Sequence, residues 1–225
     1  KEENGYNPVV HVCSSSEVYG KAQPGVALTE ETAFHGASPY SISKIGTDYL
    51  GTFYGEAYEM KTFVTRMGTH SGPRRSDVFF ESTLAKQIAL IEAGLQKPEV
   101  QLGSLNSVRT FQDVRDAVRA YYMLAMEAYA ANLKPGESFN IAGDEAFKLT
   151  EVVEIMLSMS KVNNIKVTTS EDRLRPIDAD YQMFDNSKIK STIDWKPEIK
   201  VIDMFQDLIN YWRHQIAEGR VPLNR

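Results

Sequence analysis

Tyr40 and Lys44 stand four residues apart, and in a helix that spacing stacks them on one face, one turn apart. An ammonium beside a phenol stabilises the phenolate, so the pair can act as general base or acid in alcohol–ketone chemistry. By itself Y-x-x-x-K arises often by chance and is equally a surface pair on a helix. A second group, Ser14-Ser15-Ser16-Glu17-Val18-Tyr19-Gly20, follows directly on the apolar run Val9 to Cys13. Open α/β sheets place ligands at the carboxyl ends of their strands. A serine hydroxyl there can hydrogen-bond a substrate oxygen, and a carboxylate two residues on can move a second proton. Taken alone, S-S-S-E reads as a polar loop with a helix cap.

These residues need elements that hold them. The short, β-branched run Val9 to Cys13 predicts a buried strand that ends at the serines. Ser38 opens a helix reaching about Tyr58: Ser38 is its cap, and Pro39 takes the first helical position, where a missing N–H costs nothing. Thr62 to Met67 predicts the next strand. Helices are predicted over Phe80 to Ala93 (ended by Gly94), Val114 to Ala131, Leu149 to Lys161 and Val201 to Ile216, with short strands at Phe139 to Ala142 and Ile165 to Thr168. The last helix is amphipathic, with Ile202, Phe205, Leu208, Ile209 and Trp212 on one face. Leu50, Phe53, Tyr54 and Ala57 are apolar at helical spacing, and the sequence favours a place in the core for them.

Alternating strands and helices predict an α/β fold. No G-x-G-x-x-G occurs anywhere, and the chain starts almost at once with the strand that feeds the serines. A parallel sheet needs covered faces and neighbouring strands. The expectation is therefore a sheet whose N-terminal part is missing from this sequence.

The 225 residues are 42% hydrophobic and 24% charged, the proportions of a globular protein long enough for one large or two small domains. The net charge of −5 argues against general nucleic-acid binding but leaves room for a small anion held by a few arginines. The single cysteine, Cys13, excludes an intrachain disulfide, and its apolar run predicts a buried side chain rather than a nucleophile. No stretch is apolar for long enough to span a bilayer, and Lys1 to Asn7 lacks the apolar run of a signal peptide. A cytoplasmic protein is expected.

Together, C-S-S-S-E-V-Y-G and S-P-Y-S-I-S-K at this spacing resemble the extended short-chain dehydrogenase/reductase family (NAD-dependent epimerases and dehydratases) that acts on nucleotide sugars. The resemblance runs through essentially the whole chain. It implies a Rossmann-like doubly wound parallel sheet with a smaller C-terminal α/β substrate-binding region. Residues 1–70 would supply the C-terminal part of the dinucleotide-binding domain with the catalytic residues. Residues 71–225 would be mainly the nucleotide-sugar region, with some segments returning to the first domain. The family's redox triad maps to Ser15, where many members have threonine, Tyr40 and Lys44, the last two also contacting the cofactor. In the 4,6-dehydratases the Glu17 position removes the sugar C5 proton. UDP-glucuronate decarboxylases carry a similar S-E-V-Y-G, so Glu17 does not settle the reaction.

Downstream segments extend the resemblance. Met67 to Arg75 is similar to the N-H-x-x-P-R-R stretch of GDP-mannose 4,6-dehydratases, which implies dinucleotide contacts for His70 and Arg75. Thr69 stands where the family has a substrate-contacting asparagine. Leu102 to Arg109 resembles L-G-x-L-x-x-x-R and implies that Arg109 reaches the diphosphate, where a guanidinium forms paired charge-assisted bonds. Asp113 to Asp116 is expected to be structural. Arg173 to Asp178 resembles the R-P-x-E segment, placing Arg175 and Asp178 at the nucleotide end; Ser16 joins Ser15 in the substrate set. Trp195-Lys196-Pro197 matches G-W-x-P, with Asp194 for glycine, and Trp195 is expected in the core.

The resemblance thus implies a 4,6-dehydratase that converts GDP-mannose, or a related GDP-hexose, to its 4-keto-6-deoxy sugar. It implies tightly bound NADP or NAD, with NADP favoured by His70 and Arg75. A homodimer or homotetramer is implied, with no metal, nucleic-acid or membrane partner. A GDP-4-keto-6-deoxymannose reductase shares most of these segments and is the alternative, with another nucleotide-sugar epimerase or decarboxylase behind it. A non-catalytic protein on a decayed dehydrogenase fold is the reading from another class, and the intact Ser15, Glu17, Tyr40 and Lys44 stand against it.

Overall fold

In the computed structural model, which describes residues 5–170 and 181–221, the two apolar runs nearest the candidate site become parallel strands. These are β1 (Val10–Cys13) and β2 (Thr62–Met67), with Val10 opposite Thr62 and Cys13 opposite Thr65. On its other side β2 pairs in parallel with β6 (Glu137–Ile141), Phe63 opposite Glu137 and Met67 opposite Ile141. Parallel neighbours require crossovers. Helix α1 (Pro39–Tyr58) makes the first, and α3 (Val114–Tyr129) lies in the second.

The two-residue strand period sorts the sheet's side chains. Val12, Val64 and Arg66 face α1, and Phe63, Met67, Phe139 and Ile141 face α3. Helix α1 starts as its sequence predicts: Ser38 and Ser41 form a reciprocal capping box, with Pro39 at the first position. It lies close on the sheet because Gly51 and Gly55 carry no Cβ. A Cβ on Gly51 would stand 2.9 Å from methyls of Val12 and Val64, and one on Gly55 would collide with the backbone of Gly136.

Three expectations are corrected here. Cys13 is exposed, not buried, because β1 pairs on one side only among the described residues. Leu50 (58% exposed), Phe53, Tyr54 and Ala57 lie on the outer face of α1 rather than in a core, since its inner face is taken by Asp48, Gly51 and Gly55. On the last helix, α6 (Val201–Ala217), Ile202 points outward and Met204 takes the core position.

The other elements form a second group. Strands β3 (Thr69–Ser71), β5 (Val108–Asp113) and β7 (Ala146–Lys148) make one sheet, and β4 (Glu99–Leu102) pairs with β8 (Lys166–Thr169). Helices α2 (Phe80–Glu92), α4 (Leu149–Ser158) and α6 pack over an apolar core of Leu84, Ile88, Val152, Met156, Phe205 and Leu208. Helix α5 (Ser187–Ile193) returns to the first sheet, where Ile189, Ile193 and Trp195 join Phe63, Phe139 and Leu124. Trp195 is fully buried, as expected, and its Nε1 donates to the Asp116 carbonyl at 3.1 Å. Asp113 caps α3 by accepting from Arg115 N, and the Asp116 carboxylate accepts from Glu198 N and Ile199 N. This acidic pair is structural.

Candidate active site

The carboxyl ends of β1, β2 and β6 lie at one end of a parallel sheet, and three sequence segments converge there. After β1 the chain enters a single 3-10 turn, Ser16–Tyr19, capped by Ser15: Glu17 N donates to Ser15 Oγ at 3.2 Å. A hydroxyl that accepts this bond still has its proton to donate. The turn closes tightly because Gly20 has φ +63° and abuts the His35 backbone. Ser14, Ser15 and Ser16 are all buried, and Ser14 Oγ has no hydrogen-bond partner among the described residues.

Lys44 joins the two motifs. Its Nζ donates to the Cys13 carbonyl at 2.8 Å and stands 5.8 Å from the centre of the Tyr40 ring. The ammonium is thereby fixed at the end of β1, between the phenol and the serine turn. Tyr40 itself is 54% exposed, open to a ligand. Tyr19, another tyrosine of the region, is buried with its hydroxyl bonded to Arg66 and Asn140. Burial pushes its phenol up to about 12, against the opposing pull of Arg66.

Beneath these groups lies a buried polar network. Asp48 of α1 accepts two bonds from Arg66 of β2, from Nε at 2.9 Å and Nη2 at 3.0 Å. Arg66 Nη1 donates to Tyr19 Oη at 3.1 Å and to the Glu30 carbonyl at 2.8 Å. Tyr19 Oη in turn donates to Asn140 Oδ1 of β6 at 2.7 Å, and Asn140 N donates to Glu30 Oε1 at 2.7 Å. Burial alone would lower the Arg66 pKa, but the paired bonds to Asp48 outweigh it and hold the guanidinium above its ordinary value. One network ties helix, sheet and serine turn into a fixed register.

Beyond β2, Gly68 N bonds to the Ile141 carbonyl and turns the chain into β3. Thr69 and His70 sit there, half-buried. His70 Nδ1 donates to the Gly68 carbonyl at 3.2 Å, and burial first, then the nearby Arg75 charge, lowers its pKa, so the ring is neutral at neutral pH. Arg75 donates from Nε to the buried Glu81 at 3.2 Å and stacks 3.4 Å over Phe79; it is an anchored cation, not a solvated one. Arg109 lies near the start of β5, opposite Phe147 of β7. Arg175 and Asp178 lie outside the described residues.

The geometry brings Ser15, Glu17, Tyr40 and Lys44 to one sheet end, and chain continuity puts Thr69 and His70 just beyond the adjacent strand. Three participants escaped the sequence reading. Asp48 and Arg66 carried a signal: Asp48 continues the Tyr40–Lys44 row by one more helical turn, and Arg66 interrupts an otherwise uncharged strand. A buried acid and a buried base demand each other. Gln182, whose Nε2 donates to Glu17 Oε1 at 3.2 Å, carried none, because nothing local distinguishes it from its neighbours.

The family model described as GDP-mannose 4,6 dehydratase matches residues 3–208. Among curated proteins, the chain is 26% identical to a GDP-6-deoxy-D-mannose reductase of Pseudomonas aeruginosa, over 95% of this chain and 69% of that protein. It is 25% identical to a GDP-mannose 4,6-dehydratase of Yersinia enterocolitica, over 87% of this chain and 58% of that protein. The chain thus spans little more than half the length of that dehydratase. Among solved structures, RMD from Pseudomonas aeruginosa complexed with NADPH superposes with a TM-score of 0.86 at 24% identity, covering 95% of this chain and 69% of that one. At that identity the match shows the fold, a Rossmann-like α/β architecture.

Proposed function

Because the chain belongs to the GDP-mannose 4,6 dehydratase family, we propose that it carries the catalytic and sugar-binding part of a nucleotide-sugar 4,6-dehydratase acting on GDP-mannose or a close GDP-hexose. Within that family, the observation that supports elimination over simple reduction is Glu17. A second proton-moving group stands in the serine turn, its carboxylate held by Gln182, beside the redox pair Tyr40–Lys44. A simple ketone reduction needs only the pair; removal of water needs a further base.

Each side chain then has a task. Tyr40 takes the proton of the sugar C4 hydroxyl, and Lys44, pinned to the Cys13 carbonyl, stabilises the phenolate. Ser15 donates its free O–H to the sugar O4, with Ser16 and Thr69 lining the sugar. Glu17 removes the C5 proton and helps the C6 hydroxyl leave as water. Arg109 pairs with the diphosphate, and Arg175 and Asp178 meet the nucleotide end.

The residues present fit the nicotinamide end of NADP or NAD: a fixed ammonium, an exposed phenol and the unpartnered Ser14 Oγ share the sheet end. Tyr40, Lys44, neutral His70 and the anchored Arg75 would hold it, and when bound it supplies reversible hydride acceptance. NADP is the favoured form, in keeping with the NADPH of the P. aeruginosa structure. Residues 1–70 belong, in this reading, to the dinucleotide domain, and residues 71–225 mainly to the substrate region. The exposed apolar face of α1 (Leu50, Phe53, Tyr54) supports a homodimer or homotetramer. No helix of the described residues is long and apolar enough to cross a membrane, in keeping with a cytoplasmic enzyme.

The P. aeruginosa similarity favours one second reading, a reductase of GDP-4-keto-6-deoxymannose. Incubation of the intact protein with GDP-mannose, without added cofactor, followed by mass spectrometry, separates the two. The dehydratase reading expects loss of one water, abolished by Glu17→Gln. No loss with GDP-mannose, together with NADPH-dependent turnover of its 4-keto product, moves the assignment to the reductase.

A further inference from the structure

Gln182 is nearly fully buried and bridges two parts of the site that the chain brings together from 165 residues apart. Its Nε2 donates to Glu17 Oε1 at 3.2 Å, and its backbone N donates to the Val108 carbonyl at 3.0 Å. Val108 opens β5 and immediately precedes Arg109, and Tyr181 bridges to the same residue. The Glu17 carboxylate is therefore gripped from the strand that carries the proposed diphosphate contact. Its own backbone is fixed separately, by the Ser15 cap and by Gly20 N on its carbonyl.

We propose that Gln182 is a positioning residue for proton abstraction: it aims the Glu17 carboxylate at the substrate C5 and keeps that aim coupled to the β5 segment that grips the nucleotide. The proposal rests on the dehydratase reading above. In the step concerned, the substrate carries a ketone at C4. Glu17 takes the C5 proton, the C5–H electron pair moves into the C5–C6 bond, and the C6–O bond breaks. The oxygen leaves as water with a proton from Glu17. A neutral amide suits this role. It bonds one carboxylate oxygen and leaves the other to the substrate, without the charge that would make the base reluctant to accept a proton. Small errors of aim are costly in such steps: about 1 Å of misplacement loses roughly 100-fold in rate.

The test uses the intact, cofactor-bound protein and Gln182→Met, which keeps the buried volume and removes the amide. Wild type and variant are compared with GDP-mannose and with GDP-mannose carrying deuterium at C5; thermal unfolding checks the fold of each. Turnover is expected to fall about 10- to 100-fold with the C4 oxidation step unchanged. Reduced nicotinamide then accumulates on mixing, and the C5 isotope effect rises as proton removal becomes limiting. A purely structural role would lower the active fraction and leave both signatures where they are in wild type. Unchanged turnover, or reduced turnover with no accumulation and an unchanged isotope effect, overturns the proposal while the dehydratase reading stands. A wild-type protein that removes no water from GDP-mannose overturns both.

Discussion

The interior beneath Tyr40 and Lys44 differs in kind from the interior beneath α2, α4 and α6. The first is polar at its heart: Asp48, Arg66, Tyr19 and Asn140 are buried and joined in a chain of hydrogen bonds. The second is built mainly from Leu, Ile, Val, Met and Phe, with polar links at its edge, Trp212 Nε1 to Ser82 Oγ and the Arg213–Glu92 ion pair. Apolar contact is non-directional, so it stabilises without specifying an orientation. Hydrogen bonds between buried charges contribute little net stability but permit one geometry. The difference follows the chemistry. Lys44 reaches the Cys13 carbonyl across a helix–sheet junction, and in the proposed chemistry that placement depends on a fixed register of α1 against β1 and β2. The helical layer on the second core has only to stay in place.

The largest effect expected is on turnover alone. Tyr40→Phe should lower kcat by about 10²- to 10⁴-fold and leave the unfolding midpoint unchanged, since the ring is more than half exposed. Parallel steady-state kinetics and thermal denaturation check this, and a large loss of stability would break the contrast. Next, Arg66→Met strands a buried Asp48 and should cost about 3–5 kcal/mol of stability by denaturant titration. Adding Asp48→Leu should restore most of that stability. It should not restore activity if the network's value lies in register, and full recovery of both would reduce the network to packing. Leu208→Ala in the second core should cost about 2–5 kcal/mol with kcat per folded molecule unaffected.

The smallest effect expected is of pH. His11 and His70 both have pKa values lowered from 6.5, in each case chiefly by burial. The unfolded chain therefore binds protons that the folded one resists. Stability should be full above pH 6.5 and decline as pH falls below it towards the folded-state values. His11→Gln should flatten part of that decline, as denaturant midpoints at several pH values would reveal. A decline on raising the pH through the same range would contradict the sign.

The placement of much of the candidate site was readable because its motifs are local. Ser38-Pro39 announces α1, and Tyr40 and Lys44 follow from helical spacing. The serine turn follows from a strand that stops at hydroxyls. What could not be read is set by distant parts of the chain. Cys13 looks like core until β1 proves to have a partner on one side only among the described residues. Leu50, Phe53 and Tyr54 have the periodicity of a buried face, but Gly51 and Gly55 are what let the opposite face approach the sheet. Strand β5 escaped because four consecutive residues, Thr110 to Asp113, are buried and three of them are polar, which hides the alternation a half-buried strand displays. Gln182 meets Glu17 only through the tertiary fold.

The proposed reaction is an internal redox cycle with elimination between its two halves. The most direct measurement is turnover of GDP-mannose deuterated at C4, by the intact protein without added cofactor, with the product located by mass spectrometry and NMR. The expected product has lost one water and kept its deuterium, now on C6. A product that has lost the label to solvent, or substrate returned unchanged, would contradict it.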